Sequence, residues 1–214
     1  MADSENSKEK MPISTYLFVA AAAYLLGSIP SGYILARLRG NVDLLNKGSR
    51  RTGATNVLRT MGWRAAAPVF AADFVKGIAA VLIARLLVPG DPTADVVTGM
   101  AALFGHNYSL YIGFKGGRGV TTGLGALAVI APAAMAIAAA IGIAIIAWSR
   151  YVSLGSVLGS CTVPFAMLLL VLLLGQPLPH LLFGLLGAAF VILSHRDNIQ
   201  RLLNGTERKL GQRV

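Results

Sequence analysis

A chain of 214 residues that is 55% hydrophobic, only 13% charged and of mean hydropathy +0.66 is too apolar for an ordinary soluble domain. Its formal net charge of +10 would suggest nucleic acid in a polar protein, but here the cations sit between apolar runs, where they orient helices and meet anionic lipid heads. The lone cysteine, Cys161, excludes an intrachain disulfide and a cysteine-based metal site.

Several apolar runs approach the ~20 residues needed to cross a hydrocarbon core. The composition therefore predicts an all-α polytopic membrane protein: one domain over residues 13–214 behind a polar, frayed tail over residues 1–12. Ile13–Leu38 is the first predicted span. Its Ala20–Ala23 stretch imitates a signal-peptide cleavage site, but the apolar pattern continues through Ile34 and Leu35, so the helix is read as retained. Ser28, Pro30 and Gly32 fall inside it and predict a bend. Arg37, Arg39, Lys47, Arg50, Arg51, Arg59 and Arg64 then stand against Asp43, an excess that marks the cytoplasmic side. Ala65–Val88 crosses to the acidic turn PGDPTAD, and Val96–Ile112 returns.

Val120–Trp148 decides the topology. As one helix it would leave Arg196, Arg201, Arg208, Lys209 and Arg213 outside, against the positive-inside rule. Broken at Pro132 into two short antiparallel helices, it flips every later segment. Tyr151–Leu174 and Leu178–Ser194 complete seven transmembrane helices, with the N-terminus outside and the C-terminus cytoplasmic. Three polar segments then share the cytoplasmic face: Arg37–Arg64, Phe114–Thr122 and His195–Arg213. No cluster of similar size is expected opposite, so any chemistry belongs at that face.

The first segment, GSRRTGATNVLRTMG, offers Ser49, Thr52, Thr55 and Asn56, with Arg59 one helical turn beyond Thr55. Hydroxyls, amides and an arginine fork make a phosphate-binding kit. The second, FKGGRGVTTG, places Lys115 and Arg118 around glycines that let an anion approach backbone N–H groups, then opens a helix. It lacks the GxxxxGK[ST] pattern, so no nucleotide is implied. In the third, SHRDNIQRLLNGTERKLG, His195 and Asn198 share one helical face, and Glu207 is free to pair with a nearby cation. Each admits a plainer reading: a capped helix start, a loop with two snorkelling cations, an interfacial stop with a basic tail. Asp73 and Lys76 stand three apart in an apolar helix and read as a mutual pair, while His180 beside the outer loop reads as incidental. No His, Asp and Glu set has metal-ligand spacing.

GSIPSGYILAR, DLLNKGSRRTGATNVLRTMG, ADFVKG, GHNYSLYIGFKGGRGVTTGLG and SHRDNIQRLLNGTERKLG occur in series. Together they resemble the bacterial acyl-phosphate:glycerol-3-phosphate acyltransferase family (PlsY), from about Leu17 to Gly211. The resemblance implies a multi-pass enzyme of the bacterial cell membrane with seven helices and no cofactor, metal, nucleic acid or required protein partner. It implies acyl transfer from acyl phosphate to the sn-1 hydroxyl of glycerol 3-phosphate, giving lysophosphatidate and phosphate, the first acylation of phospholipid synthesis. By motif, Ser49, Arg59, Thr55, Asn56, Arg118, Ser156, His195 and Asn198 match active-site positions of the family. With the residues' own chemistry, Ser49, Arg59, His195 and Asn198 are expected in catalysis, and Thr55, Asn56, Lys115, Gly116, Gly117, Arg118 and Ser156 in substrate binding. His195 is a candidate general base, with a phosphate oxygen of the donor as the competing proton acceptor. The sequence departs from the family pattern in three places: GSRR for GSGN, Arg118 for lysine, and Ser109 for proline in GHxxP. A transporter would instead spread polar groups through the membrane depth, and a lipid-binding structural protein would depend on bulk charge more than on Ser49 or Asn198.

Overall fold

The computed structural model describes residues 11–212; the first ten residues of the expected tail, and Arg213, lie outside that range. Pro30 divides the first apolar run as expected, because a ring without an N–H cannot continue the helical ladder. The result is α1 (Ile13–Ser28) and α2 (Ser31–Leu38). A long loop leads to α3 (Ala54–Met61), and Gly62, at φ +83°, turns the chain into α4 (Trp63–Leu87). The helix expected over 96–112 is instead α5 (Pro92–Asn107). Asp91 accepts the Thr93 N–H at 2.8 Å and Pro92 takes the first helical position, so what reads as a turn is the helix cap. Leu110–Ile112 forms only a 3-10 turn.

The apolar run after the glycine-rich loop breaks at Ala131, one residue before Pro132, into α6 (Val120–Ile130) and α7 (Pro132–Ser149). The remainder is α8 (Val152–Leu174), α9 (Leu178–Ser194) and α10 (Arg196–Leu203), the last bent 59° from α9. Four segments are long and apolar enough to cross a bilayer: 13–38, α4, α7 and α8. The bent α9–α10 pair makes a fifth, while α5 and α6 are shorter at 16 and 11 residues.

Backbone contact, more than interlocking side chains, joins α1 to α5. A Cβ at Gly27 would overlap the Ala102 carbonyl, and one at Gly105 would overlap the Tyr24 carbonyl. The core gathers Val81, Leu103, Leu127, Ile130, Met167 and Phe183 between α4, α5, α6, α8 and α9. Leu86, Trp148, Phe165 and Leu173 point outward, an apolar belt that lipid solvates and water would not.

Two buried polar knots mend the helix breaks. Lys76 donates to the Ile29 carbonyl at 2.9 Å, beside the Pro30 break, and pairs with Asp73 at 2.8 Å. Asp73 also accepts from Ser31 Oγ at 2.6 Å and lies 3.5 Å from His106 Nδ1, so the expected Asp73–Lys76 pair is part of a larger cluster. At the end of the bundle away from the glycine-rich loop, Gln176 Nε2 donates to the Ile130 carbonyl at 2.8 Å and reaches His180 Nδ1 at 3.0 Å. His180 Nε2 then faces Asp95 at 3.2 Å, and Arg85 grips the same carboxylate at 2.7 and 3.0 Å. His180 is therefore a buried linker and not incidental, and this end carries a polar cluster that charge counting along the sequence passed over.

Candidate active site at the glycine-rich end

The loop between α2 and α3 is shaped by Asn56. Its Nδ2 donates to the carbonyls of Leu44, Lys47 and Arg51 at 2.7–3.3 Å, and its Oδ1 accepts the Ser49 N–H at 2.9 Å. Asn56, a candidate substrate-binding residue, lines the cavity while its polar atoms hold residues 44–51 together, and the loop leaves Ser49 and Arg51 at the cavity edge. Arg50 stands at φ +56°, the left-handed region, where the family pattern has glycine. The turn is thus kept despite the side chain, at a steric cost of roughly 1–2 kcal/mol.

The glycine-rich loop is fixed differently from its expected phosphate-cradling form. The Gly117 N–H donates to the His106 carbonyl at 3.0 Å, and the Gly116 carbonyl accepts the Thr52 N–H at 3.3 Å. A Cβ at either glycine would overlap His106 or the Asn107 carbonyl. These two residues are glycine so that the loop can lie on the end of α5. Ser109, where the pattern has proline, donates its hydroxyl to the Ser28 carbonyl and anchors the loop to α1. The backbone donors left for a ligand are those of the first turn of α6, which no helical carbonyl can satisfy. That turn opens at the cavity through Gly119, Val120 and Thr121.

Glu207 ties together the third polar segment, residues 195–212. Its buried carboxylate accepts from Ser153 Oγ at 3.0 Å, Asn198 Nδ2 at 2.9 Å and Arg201 Nε at 2.8 Å, and lies 3.8 Å from Arg59. Arg59 also donates to the Arg208 carbonyl at 3.0 Å. A second clasp, Leu210 N–H to Arg150 O at 2.6 Å and Arg150 Nη2 to Leu210 O at 2.9 Å, straps residues 204–212 across the start of α8. The signal in the sequence was that Glu207 is the lone acid among Arg201, Arg208 and Lys209.

Burial and crowded positive charge govern the electrostatics. Burial, then Arg51 and Arg201, push the Arg118 guanidinium down to about 10, so it stays charged at neutral pH. Burial likewise lowers Arg59, with Glu207 opposing. Burial pushes His195 down to about 4, making it a neutral imidazole at pH 7. Its Nδ1 lies 2.8 Å from the Val191 carbonyl, which can only accept, so Nδ1 carries the proton and Nε2 is a free acceptor. Burial raises the Glu207 carboxyl, but hydrogen bonds from Arg201, Asn198 and Ser153 outweigh it and hold the group below its ordinary value. Arg118 Nε and Asn198 Oδ1 are buried without a partner.

Ser49, Thr55, Asn56, Arg59, Gly117, Arg118, Ser156, His195 and Asn198 line one continuous cavity of about 530 Å³. Lys115 and Gly116 do not. Lys115 is exposed and lines a neighbouring polar depression with Arg50 and Arg51. Arg51, Glu207 and Ser153 join the cavity lining without having been predicted there. From this charged rim the cavity continues inward between α6, α7, α8 and α9 along apolar walls that include Leu127, Ile143, Val163 and Phe183.

The profile of the glycerol-3-phosphate acyltransferase family matches residues 17–205. The glycerol-3-phosphate acyltransferase of Thermoanaerobacter sp. (strain X514) is 43% identical over 198 residues, covering 92% of this chain and 97% of that protein. The crystal structure of PlsY (YgiH), an integral membrane glycerol 3-phosphate acyltransferase, in its glycerol 3-phosphate form superposes with TM-score 0.84 at 39% identity, covering 92% and 96% of the two chains. Its lysophosphatidic acid form gives 0.82 at 37% identity, with the same coverage.

Proposed function

The chain belongs to the glycerol-3-phosphate acyltransferase family, and from that premise we propose that it transfers an acyl group from acyl phosphate to the sn-1 hydroxyl of glycerol 3-phosphate. The observation that carries this reading is the single cavity that joins a cationic rim to an apolar interior. An acyl phosphate has that polarity: a dianionic head and a hydrocarbon tail.

The sn-1 oxygen forms a bond to the acyl carbonyl carbon, and the bond from that carbon to the phosphate oxygen breaks. The products are lysophosphatidate and inorganic phosphate. Because the donor is already activated, the transfer needs no acyl-enzyme and no cofactor. Arg59 and Arg118, with the first-turn amides of α6, hold the two phosphates and the charge that develops on the carbonyl oxygen. Ser49 and Thr55 sit on the rim beside them, and Ser156 faces the acyl end. Asn56 positions the Ser49 loop, and Gly116 and Gly117 seat Arg118. Lys115 gathers anions outside the cavity. Asn198 is held by Glu207 with its oxygen free for a substrate hydroxyl.

His195 offers Nε2 as an acceptor that orients the attacking hydroxyl. A group held near 4 is a weak base, whereas a phosphate dianion takes up its first proton near pH ~6. The hydroxyl proton therefore passes to the leaving phosphate, and His195→Gln, which keeps a side-chain acceptor, retains measurable turnover.

For the bundle we propose a single membrane domain with seven spans: α1 with α2, α4, α5, α6, α7, α8 and α9. Its N-terminus lies outside, and its C-terminus and cavity rim face the cytoplasm of a bacterial cell membrane. A reporter fused after Val214 and active outside the cell overturns that orientation. Purified protein with acyl phosphate and labelled glycerol 3-phosphate tests the chemistry, with acyl-CoA and acyl-carrier-protein as alternative donors. Lysophosphatidate formed from either alternative, and not from acyl phosphate, overturns the donor.

A further inference from the structure

On the four helices around the deep part of the cavity, the lining residues end at Leu127 on α6, Ala138 on α7, Val163 on α8 and Phe183 on α9. Beyond them Ile130, Ala134 and Met167 are closed core. At about 1.5 Å per helical residue, Ser153 to Val163 and His195 to Phe183 place this floor about 15–18 Å below the polar rim. Phe183 is the largest side chain on the floor and is backed by bare backbone. Gly99 of α5 does not line the cavity, and a Cβ built there would come within 2.6 Å of Phe183 Cε2 and 3.1 Å of Cδ2. The ring therefore stands between Gly99 and the cavity.

We propose that Phe183, seated on Gly99, is the stop that sets acyl-chain length: the terminal methyl of the donor's chain abuts its ring. This rests on the acyl-phosphate reading above. The missing side chain at Gly99 lets the ring recede, so the pair fixes how deep the hydrocarbon can run. A methyl at position 99 is also hemmed in by Ile130 Cδ1 at 3.4 Å, which leaves the cavity as the direction in which the ring can yield.

The geometry demands opposite shifts from substitutions at two positions. Purified wild type, Phe183→Ala, Phe183→Leu and Gly99→Ala, each in phospholipid vesicles, are assayed with acyl phosphates of graded chain length at saturating glycerol 3-phosphate. The readout is the ratio of kcat/KM between long and short donors within one preparation, which is independent of the folded fraction. Phe183→Ala raises the long-to-short ratio about tenfold or more, the scale of one or two methylenes in an apolar pocket. Phe183→Leu raises it less, and Gly99→Ala lowers it. Phe183 variants whose profile superposes on wild type overturn the proposal, as does a Gly99→Ala shift towards longer chains. If Phe183→Ala does not accumulate, Phe183→Leu and Gly99→Ala decide between the same outcomes. Wild type that turns over no acyl phosphate of any length sinks the donor reading instead, so the two failures are distinguishable.

Discussion

Polar clusters sit at both ends of this helix bundle, one around Asp95 and one around Arg118, and they differ in how far they satisfy themselves. At the Asp95 end, the carboxylate is gripped by Arg85 and His180, His180 has both ring nitrogens matched, and Gln176 closes on the Ile130 carbonyl. At the Arg118 end, Arg118 Nε and Asn198 Oδ1 are buried without partners, and His195 Nε2 is open. Buried polar atoms are almost always paired, because an unpaired one costs about 1–3 kcal/mol. A closed cluster contributes to stability, whereas an open one awaits a ligand.

The contrast breaks most sharply at Arg118. Arg118→Ala lowers kcat by about 10²–10³-fold, the scale for losing one donor to developing charge. Its melting temperature stays level or rises, because Arg51 and Arg201 lose a repelling neighbour. Turnover and thermal melts on the same preparation check this. Glu207→Gln belongs to both categories. It loses the anion that orders Asn198, Ser153 and Arg201, so turnover falls together with about 1–3 kcal/mol of unfolding free energy. Asp95→Asn costs a similar amount of stability with unchanged turnover per folded molecule; a fall in kcat there would erase the distinction between the two ends.

Acid sharpens the comparison further. His195 is held near 4 against an ordinary 6.5, so between those values the unfolded chain binds the proton first. Its contribution to stability is complete above about pH 6.5 and is lost as pH falls towards about 4. Glu207, held below its ordinary 4.5, contributes above that value and loses its contribution at lower pH. Unfolding measured across pH should therefore lose its 4–6.5 slope in His195→Gln and its slope below 4.5 in Glu207→Gln. The smallest effect is at Arg50. Arg50→Gly relieves the left-handed backbone and gains about 1 kcal/mol of stability, visible as a higher melting temperature.

Features governed by short stretches of chain were legible in the sequence. Pro30 and Pro132 break helices by local steric rules, and the positions of both breaks follow from the sequence. The helical start at Asp91–Pro92 was also local, but an acidic Pro-containing segment reads equally as a turn. The residues gathered in the cavity came from pattern and resemblance, and most of them meet there. What stayed hidden depends on partners distant in sequence. Glu207 takes its partners from α8, α10 and Arg59, and His180 from Asp95. Asn56 has a ligand-like side chain, and nothing local reveals that its atoms are spent on its own loop. Gly116 and Gly117 carry the composition of a phosphate cradle, yet their contacts with His106 and Asn107 require them to be glycine.

The bond from Arg59 to the Arg208 carbonyl spans 149 residues, and this has a consequence for biogenesis. At about 5–20 residues per second, a ribosome needs roughly seven to thirty seconds to deliver the second partner after the first. In that interval the Asn56 loop can already close on itself, since its contacts reach back no further than Leu44. Until then Arg59 lacks both the Glu207 carboxylate and the Arg208 carbonyl. The wall of the cavity built by residues 204–212 can therefore close only after every other part of the cavity lining has been made.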